Sequence, residues 1–351
     1  MFQIRNYSLQ EFEHLVGHYG QDARQILLEA GLSLAALRSS GALISYPKLA
    51  LILELAAAQC REPWFGLRLA ERHTLDVLAP IPLIAAQYKT VAEALSGASQ
   101  SLTLLVSGGV DLAICPHQGK YHLSMQWGVS SPRGTWQLQQ LSMGHLVMFV
   151  AALLGRPRDE INLYLTLPRA SAIQIKDMPL NHVHFGASFN GVMLHEADML
   201  LANKLYAPAL RQHIDHYLQF LRAQMPLTLE DEVKEMIRVF LPSFESSIEV
   251  VANALDLHPR NLQLKLKQRG TTYSTLLQEV RHQLAIEHLN RPKTSVTELA
   301  LQLGYSDIAA FSRSFKRWTG VSPSQWQQRN ALNNDAVGRS DNSQGETHGS
   351  I

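Results

Sequence analysis

The feature that most constrains this chain of 351 residues is a repeat in its last third. Val251-Ala252-x-x-Leu255-x-Leu257 returns as Leu299-Ala300-x-x-Leu303-x-Tyr305 at an offset of 48. Leu262 and Leu266 return as Phe311 and Phe315 at an offset of 49, so the second copy carries one extra residue in its turn. Apolar residues three and four apart share one helix face, so each copy reads as two short helices joined by a tight turn. The small Ala252 and Ala300 let the partner helix approach closely, which is the helix-turn-helix pattern. Gly304 tolerates the positive φ such a turn requires, and Asp256 in the equivalent place tolerates it better than most residues but less well than glycine. Everything from 229 onward reads as helical, near 229–240, 247–255, 259–269, 272–289, 295–302, 307–318 and 323–328. An all-α double helix-turn-helix domain over 229–330 is the expectation.

At about 100° per residue, the second helix of each copy has a face opposite its apolar pair. In the first copy that face presents Arg260, Gln263, Leu264 and Lys267, with Asn261 as a further contact. In the second it presents Ala309, Ser312, Arg313 and Lys316, with Arg317 at the margin. Arginine pairs bidentately with guanine O6 and N7, glutamine with adenine, and small apolar groups touch the thymine methyl. Lys267, Lys316 and Arg317 equally suit phosphates, which set register without reading sequence. The bland alternative is a set of solubilising charges. Against it, residues 258–330 hold eleven Lys and Arg to four Asp and Glu, whereas the remainder holds twenty to twenty-six. A local basic excess on a chain of net charge +1 points to a localised polyanion contact.

The earlier residues have a different texture, and the length favours two cores over one. Ser8-Leu9-Gln10-Glu11 and Thr90-Val91-Ala92-Glu93 have the form of capping boxes leading into helices. Further helices are expected near 22–30, 46–60, 64–72, 80–88 and 134–154. Alternation at 110–115 and 121–127 around a turn-forming Pro-His-Gln-Gly-Lys predicts a hairpin. Residues 161–167 predict a third strand, and 183–185 with 191–194 a short final pair. The expectation is an α+β domain, helices plus a small and mainly antiparallel sheet, over 1–205. A helix near 206–224 and a linker ending at 228 follow, with Pro226 as the boundary, and the polar tail 331–351 is expected to be disordered.

Residues 295–328, SVTELALQLGYSDIAAFSRSFKRWTGVSPSQWQQ, resemble the AraC/XylS transcription regulators of bacteria. Ala300, Leu303-Gly304-Tyr305, Phe311, Arg313, Phe315-Lys316, Gly320 and Ser322-Pro323 carry the likeness, and Leu255, Leu257, Pro259, Leu262 and Leu266 carry it in the first copy. The resemblance implies seven helices and two recognition helices in successive major-groove segments about 34 Å apart. It also implies Arg260, Gln263, Ser312 and Arg313 as base readers. Leu264 departs from the family's frequent arginine, which implies weaker or apolar readout by the first helix. Residues 155–167 and 183–194 resemble the arabinose-binding-type N-terminal domain of the ornithine-regulator and quorum-sensing-regulator branch, through Phe185-Gly186-Ala187 and Asn190. That branch lacks a cupin barrel, and its His-Pro and Phe-Gly landmarks are missing from 168–182 here.

Several other chemistries find little support. A hydrophobic fraction of 46% with 17% charged residues is ordinary for a soluble protein, and neither a bilayer-length apolar run nor a secretory signal is evident. Cytoplasmic residence is expected, with Cys60 and Cys115 as core thiols. His14 with His18, His213 with His216, and His182 with His184 have permissive ligand spacings but no supporting carboxylate or cysteine, so structural roles are expected and no metal. Ser107-Gly108-Gly109 and Gly97 match no phosphate loop and read as helix ends. Trp64, Phe65, Tyr88, Trp127, Trp136 and Phe149 read as core before they read as pocket, so the effector residues stay unassigned.

The sequence therefore reads as a DNA-binding transcription regulator and not an enzyme, with activation the commoner outcome in the family. No cofactor is implied. The partners implied are double-stranded promoter or operator DNA, RNA polymerase and a small-molecule effector of unknown identity, with no membrane. A homodimer stays open, as do two rival readings of the N-terminal domain: a dimerisation module, or an enzyme tethered to a DNA reader.

Overall fold

The computed structural model describes residues 3–32, 34, 37, 43–102, 110–167, 178–223, 228–291 and 295–329. The chain divides into two compact units, Met1–Pro226 with Ala252–His258, and Leu227–Val251 with Pro259–Ile351. The tail 331–351, Pro226 and Ser107-Gly108-Gly109 lie outside the described residues.

Two strands too short to show alternation, β1 (Gln3–Arg5) and β2 (Leu43–Ser45), pair antiparallel at the start of the first unit. The main sheet begins with the expected hairpin, β3 (Val110–His117) and β4 (Lys120–Trp127). Gln118 and Gly119 form its two-residue turn with φ of 48° and 73°, the doubly left-handed geometry that matches strand twist. Alternation then sends Leu112, Ile114 and Leu123 towards the core. It sends Cys115 outward, so only buried Cys60 is a core thiol, and the expectation for Cys115 is corrected.

The final strands are not a pair. In the order β3-β4-β7-β5-β6, β7 (Gly191–His195) inserts between β4 and β5 (Leu163–Leu165), and β6 (Val183–Phe185) runs parallel to β5 at the edge. Gly191 allows this. A Cβ there would sit 1.9 Å from the Leu123 carbonyl oxygen, so any side chain would block the approach of β7 to β4. Asn190 joins the strands: its Oδ1 accepts from Thr166 N–H at 2.8 Å and its carbonyl from Met125 N–H at 3.1 Å. Gly186 and Ala187 donate to the carbonyls of Leu167 and Leu165, each at 2.9 Å.

Helix Trp136–Leu154 is apolar on nearly every side and forms the centre of the core against Leu163, Val192 and Leu194. It is long and apolar enough to cross a membrane, contrary to the sequence expectation, but 89% of its most apolar window is buried inside the protein. The neighbouring helix Phe65–Arg72 has no side-chain cap of its own. Gln137 accepts from Gly66 N–H at 2.9 Å and Gln140 from Leu67 N–H at 3.4 Å, both from the core helix. At the other end Arg158 donates to the carbonyls of Ala70, Glu71 and His73, the last at 2.7 Å. The unpaired groups at both ends are thus satisfied by distant residues.

Thr90 and Glu93 form the expected capping box. Ser8 does not: it lies in a 3-10 turn, and helix Phe12–His18 begins after Glu11 in left-handed backbone without a side-chain cap. Gly97 lies inside helix Val91–Gln100, not at its end, and a Cβ there would sit 2.3 Å from Tyr88 Cε2, so the ring occupies the space a side chain would need. Helix Arg211–Ala223 starts after the turn Pro208–Leu210 and buries Ile214 and Leu218 in the core of the first unit.

Candidate nucleic-acid interface

The repeat has a physical basis in how its first helices end. Helix Ile248–Ala254 closes with Asp256 at φ 56°, where Asp256 N–H donates to Asn253 at 3.1 Å and Leu257 N–H to Ala252 at 2.8 Å. Helix Val296–Gln302 closes with Gly304 at φ 69°, where Gly304 N–H donates to Leu301 at 2.8 Å and Tyr305 N–H to Ala300 at 3.0 Å. Both are Schellman motifs, each pairing two carbonyls that a helix end leaves orphaned. The recurring Ala-x-x-Leu-x-Leu/Tyr is that motif, with the alanine and the final Leu257 or Tyr305 as its paired ends.

The extra residue in the second copy changes how the next helix starts. Helix Pro259–Gln268 begins with proline at its first position, where a missing N–H costs nothing. Helix Ile308–Thr319 begins after Asp307, whose Oδ1 accepts from Ala310 N–H at 2.7 Å. That bond, the Ser306 hydroxyl and the Arg313 charge hold the Asp307 carboxyl below its usual value. Gly320, in left-handed backbone, ends the helix.

The helical wheel agrees with burial on both helices. Leu262, Leu266, Phe311 and Phe315 are fully buried. Arg260, Asn261, Gln263, Leu264 and Lys267 are exposed in the first helix, as are Ala309, Arg313, Lys316 and Arg317 in the second, with Ser312 half-buried. Leu264, 56% exposed, is an apolar side chain on an otherwise polar face. Each helix therefore offers a solvent-facing side with donors suited to base edges and cations suited to phosphates.

A further positioning residue comes from helix Tyr273–Leu289, which joins the two copies. Its Arg281 Nη2 donates to the Gly304 carbonyl at 2.9 Å, and the guanidinium lies 4.7 Å from the centre of the Tyr305 ring. It pins the second turn through both the Gly304 carbonyl and the Tyr305 side chain. Sequence reasoning confined to outward positions misses it. The available signal is an arginine sharing a helix face with Leu277, Val280 and Leu284. Leu241, Ala285, Leu289, Leu299 and Leu303 complete the core beneath this turn, and Trp326 closes it edge-on to Phe315.

Among the described residues no group of three or more His, Cys, Asp or Glu is placed to hold a metal. His14 contacts Glu11, and His184 stacks on Tyr164 and bonds to Asn162 at 2.8 Å.

Two protein-family models match the chain: a helix-turn-helix domain over residues 251–329, and the N-terminal arabinose-binding domain of AraC transcription regulator over 20–203. The HTH-type transcriptional regulator VirS of Mycobacterium tuberculosis is 27% identical over 331 residues, 92% of this chain and 96% of its own. The ornithine utilization regulator of Pseudomonas aeruginosa is 25% identical over 325 residues, 90% of this chain and 93% of its own. Among solved structures, the transcriptional regulator CdpR from Pseudomonas aeruginosa is 21% identical with a TM-score of 0.36, covering 87% of this chain and 97% of that one.

Proposed function

The chain belongs to the AraC family of transcription regulators, and from that premise we propose that it activates transcription from a promoter-proximal site under the control of a small molecule. It is a DNA-binding regulator with an effector-binding N-terminal domain, and its relatives are regulators, not enzymes. The observation that supports the DNA-contacting part of this reading is the pair of Schellman-closed turns, each delivering a helix with one buried apolar face and one exposed polar face.

In this reading Arg260, Gln263, Ser312 and Arg313 contact base edges. Asn261, Lys267, Lys316 and Arg317 hold phosphates, and Leu264 and Ala309 touch apolar base groups. Residues 1–205 form the regulatory domain, 206–228 the connection, and 229–330 the DNA-binding domain. The effector acts by binding the DNA-competent arrangement better than its alternative, with the helix near 206–224 as the coupling element. RNA polymerase is the downstream partner, a second copy of the chain the candidate for a paired site, and the cytoplasm the place of action.

Fluorescence anisotropy with promoter fragments tests the DNA contacts. Arg313→Ala loses about 1–3 kcal/mol of discrimination at one base step. Lys316→Ala weakens all sequences alike and lowers the salt slope by about 1. Unchanged binding in both variants refutes the assignment of the second helix. Transcription in a reporter strain with and without candidate effectors tests control, and identical output across them sinks it.

A further inference from the structure

Inside the first unit, a cavity of about 80 Å³ separates the core helix Trp136–Leu154 from strands β3 and β4. Of the six aromatics singled out from the sequence, only Phe149 lines it; Trp64 and Phe65 are buried in the core. Leu112, Met125, Leu141 and Leu146 supply much of its apolar wall. Among the described residues no Asp, Glu, Lys or Arg lines it, and the polar side chains that do are Ser8, Tyr46, Ser142 and His145.

Three of those four form a defined polar edge. The Ser142 hydroxyl bonds to the Tyr46 hydroxyl and accepts from Trp127 Nε1–H at 3.4 Å. His145 belongs to a relay whose proton positions follow from its far end. The Gln10 carbonyl can only accept, so His73 Nε2, 2.8 Å away, carries a proton. In a neutral ring His73 Nδ1 is then an acceptor, and His145 Nε2, 2.8 Å from it, must donate. His145 Nδ1 is left as an acceptor. Arg158, bonded to the His73 carbonyl, disfavours a second positive charge on this pair.

An ionised ligand would lose its hydration here and meet no counter-charge, and a sugar or amino acid would bury more polar groups than four side chains can pair. We infer that this cavity binds an uncharged, mainly apolar small molecule bearing one hydroxyl or comparable group, paired by Ser142, Tyr46 and His145. The inference rests on the reading of the first unit as effector-binding and names the ligand class for that site.

Three probes with one tail and different heads test it on the full chain: 1-hexanol, hexanoate and hexylammonium, titrated by calorimetry and by the rise in Tm. 1-Hexanol is expected to saturate a single site, with both ions at least about tenfold weaker. Ser142→Ala is expected to weaken 1-hexanol about three- to tenfold, and Leu112→Phe, which fills the space, to abolish binding. Equal affinity for all three heads, no saturable 1-hexanol binding, or parent-like affinity in Ser142→Ala overturns the inference. Operator affinity measured in the same samples separates this from the wider reading. Saturable 1-hexanol binding that leaves operator affinity unchanged supports the site and removes its control of DNA binding. A charged molecule that shifts operator affinity while 1-hexanol fails to bind overturns the ligand class and leaves effector control standing.

Discussion

Replacing Gly304 by alanine tests the turn of the second helix-turn-helix unit at its most constrained point. The residue has φ 69°, and an added Cβ would sit 3.1 Å from Arg281 Nη2 and 3.7 Å from Leu241 Cδ1. Left-handed backbone costs an alanine about 1–2 kcal/mol. The crowded guanidinium must also shift from the Gly304 carbonyl, losing part of a charged hydrogen bond worth about 1.5–3 kcal/mol. The two effects overlap, because the turn can relax towards either, so the expected loss is about 2–3 kcal/mol. With a urea slope of roughly 2 kcal/mol per molar, the midpoint of the second unit falls by about 1 M. The assay is helical circular dichroism against urea, with hydrogen exchange at Tyr305 and Leu303 as a local readout. Asp256→Gly is the companion variant: the aspartate already bears the left-handed cost at φ 56°, so glycine there changes stability by between zero and about 1 kcal/mol in the favourable direction. A Gly304→Ala midpoint within roughly 0.2 M of the parent refutes the argument.

Arg281→Met keeps the helix and much of the apolar stem but removes the bond to Gly304 and the contact with Tyr305; a loss of about 2–3 kcal/mol is expected in the same urea series, with weaker operator binding. His73 and His145 are both held below their ordinary value of 6.5, chiefly by burial, so the unfolded chain takes up protons first as pH falls. Their contribution is complete above pH 6.5 and lost progressively below it; Tm measured from pH 7 to 5 should fall more steeply in the parent than in His145→Gln, and equal slopes would remove the pair as the cause. Gly191→Ala places a methyl 1.9 Å from the Leu123 carbonyl oxygen and should cost about 4 kcal/mol, read as loss of soluble protein and of near-ultraviolet dichroism. A well-folded Gly191→Ala protein would show that β7 can leave β4 without consequence.

The helix-turn-helix repeat was legible because its determinants are local. The Schellman motif, the Asp307 cap and the 3.6-residue period operate within one or two turns of helix, so Ala252, Asp256, Ala300 and Gly304 reveal two turns without knowledge of what packs on them. The hairpin at Gln118-Gly119 was legible for the same reason. The first unit was harder to read wherever partners lie far apart in sequence. VHF and GVML read as neighbours, but strand pairing depends on which backbone can approach which, and Gly191 decides that through Leu123. An alternating strand hides nothing about Cys115 except which of its two faces the helices cover.

From the sequence alone, local backbone preference and apolar periodicity determined the two helix-turn-helix units and which side of each recognition helix faces solvent. Tertiary structure alone decided the rest: the place of β7, the capping of helix Phe65–Arg72 by Gln137, Gln140 and Arg158, the grip of Arg281 on the second turn, and an uncharged cavity beside Ser142 and His145. Each of these depends on groups brought together from distant parts of the chain, and hydrogen bonding and steric approach at that range leave no period in the sequence.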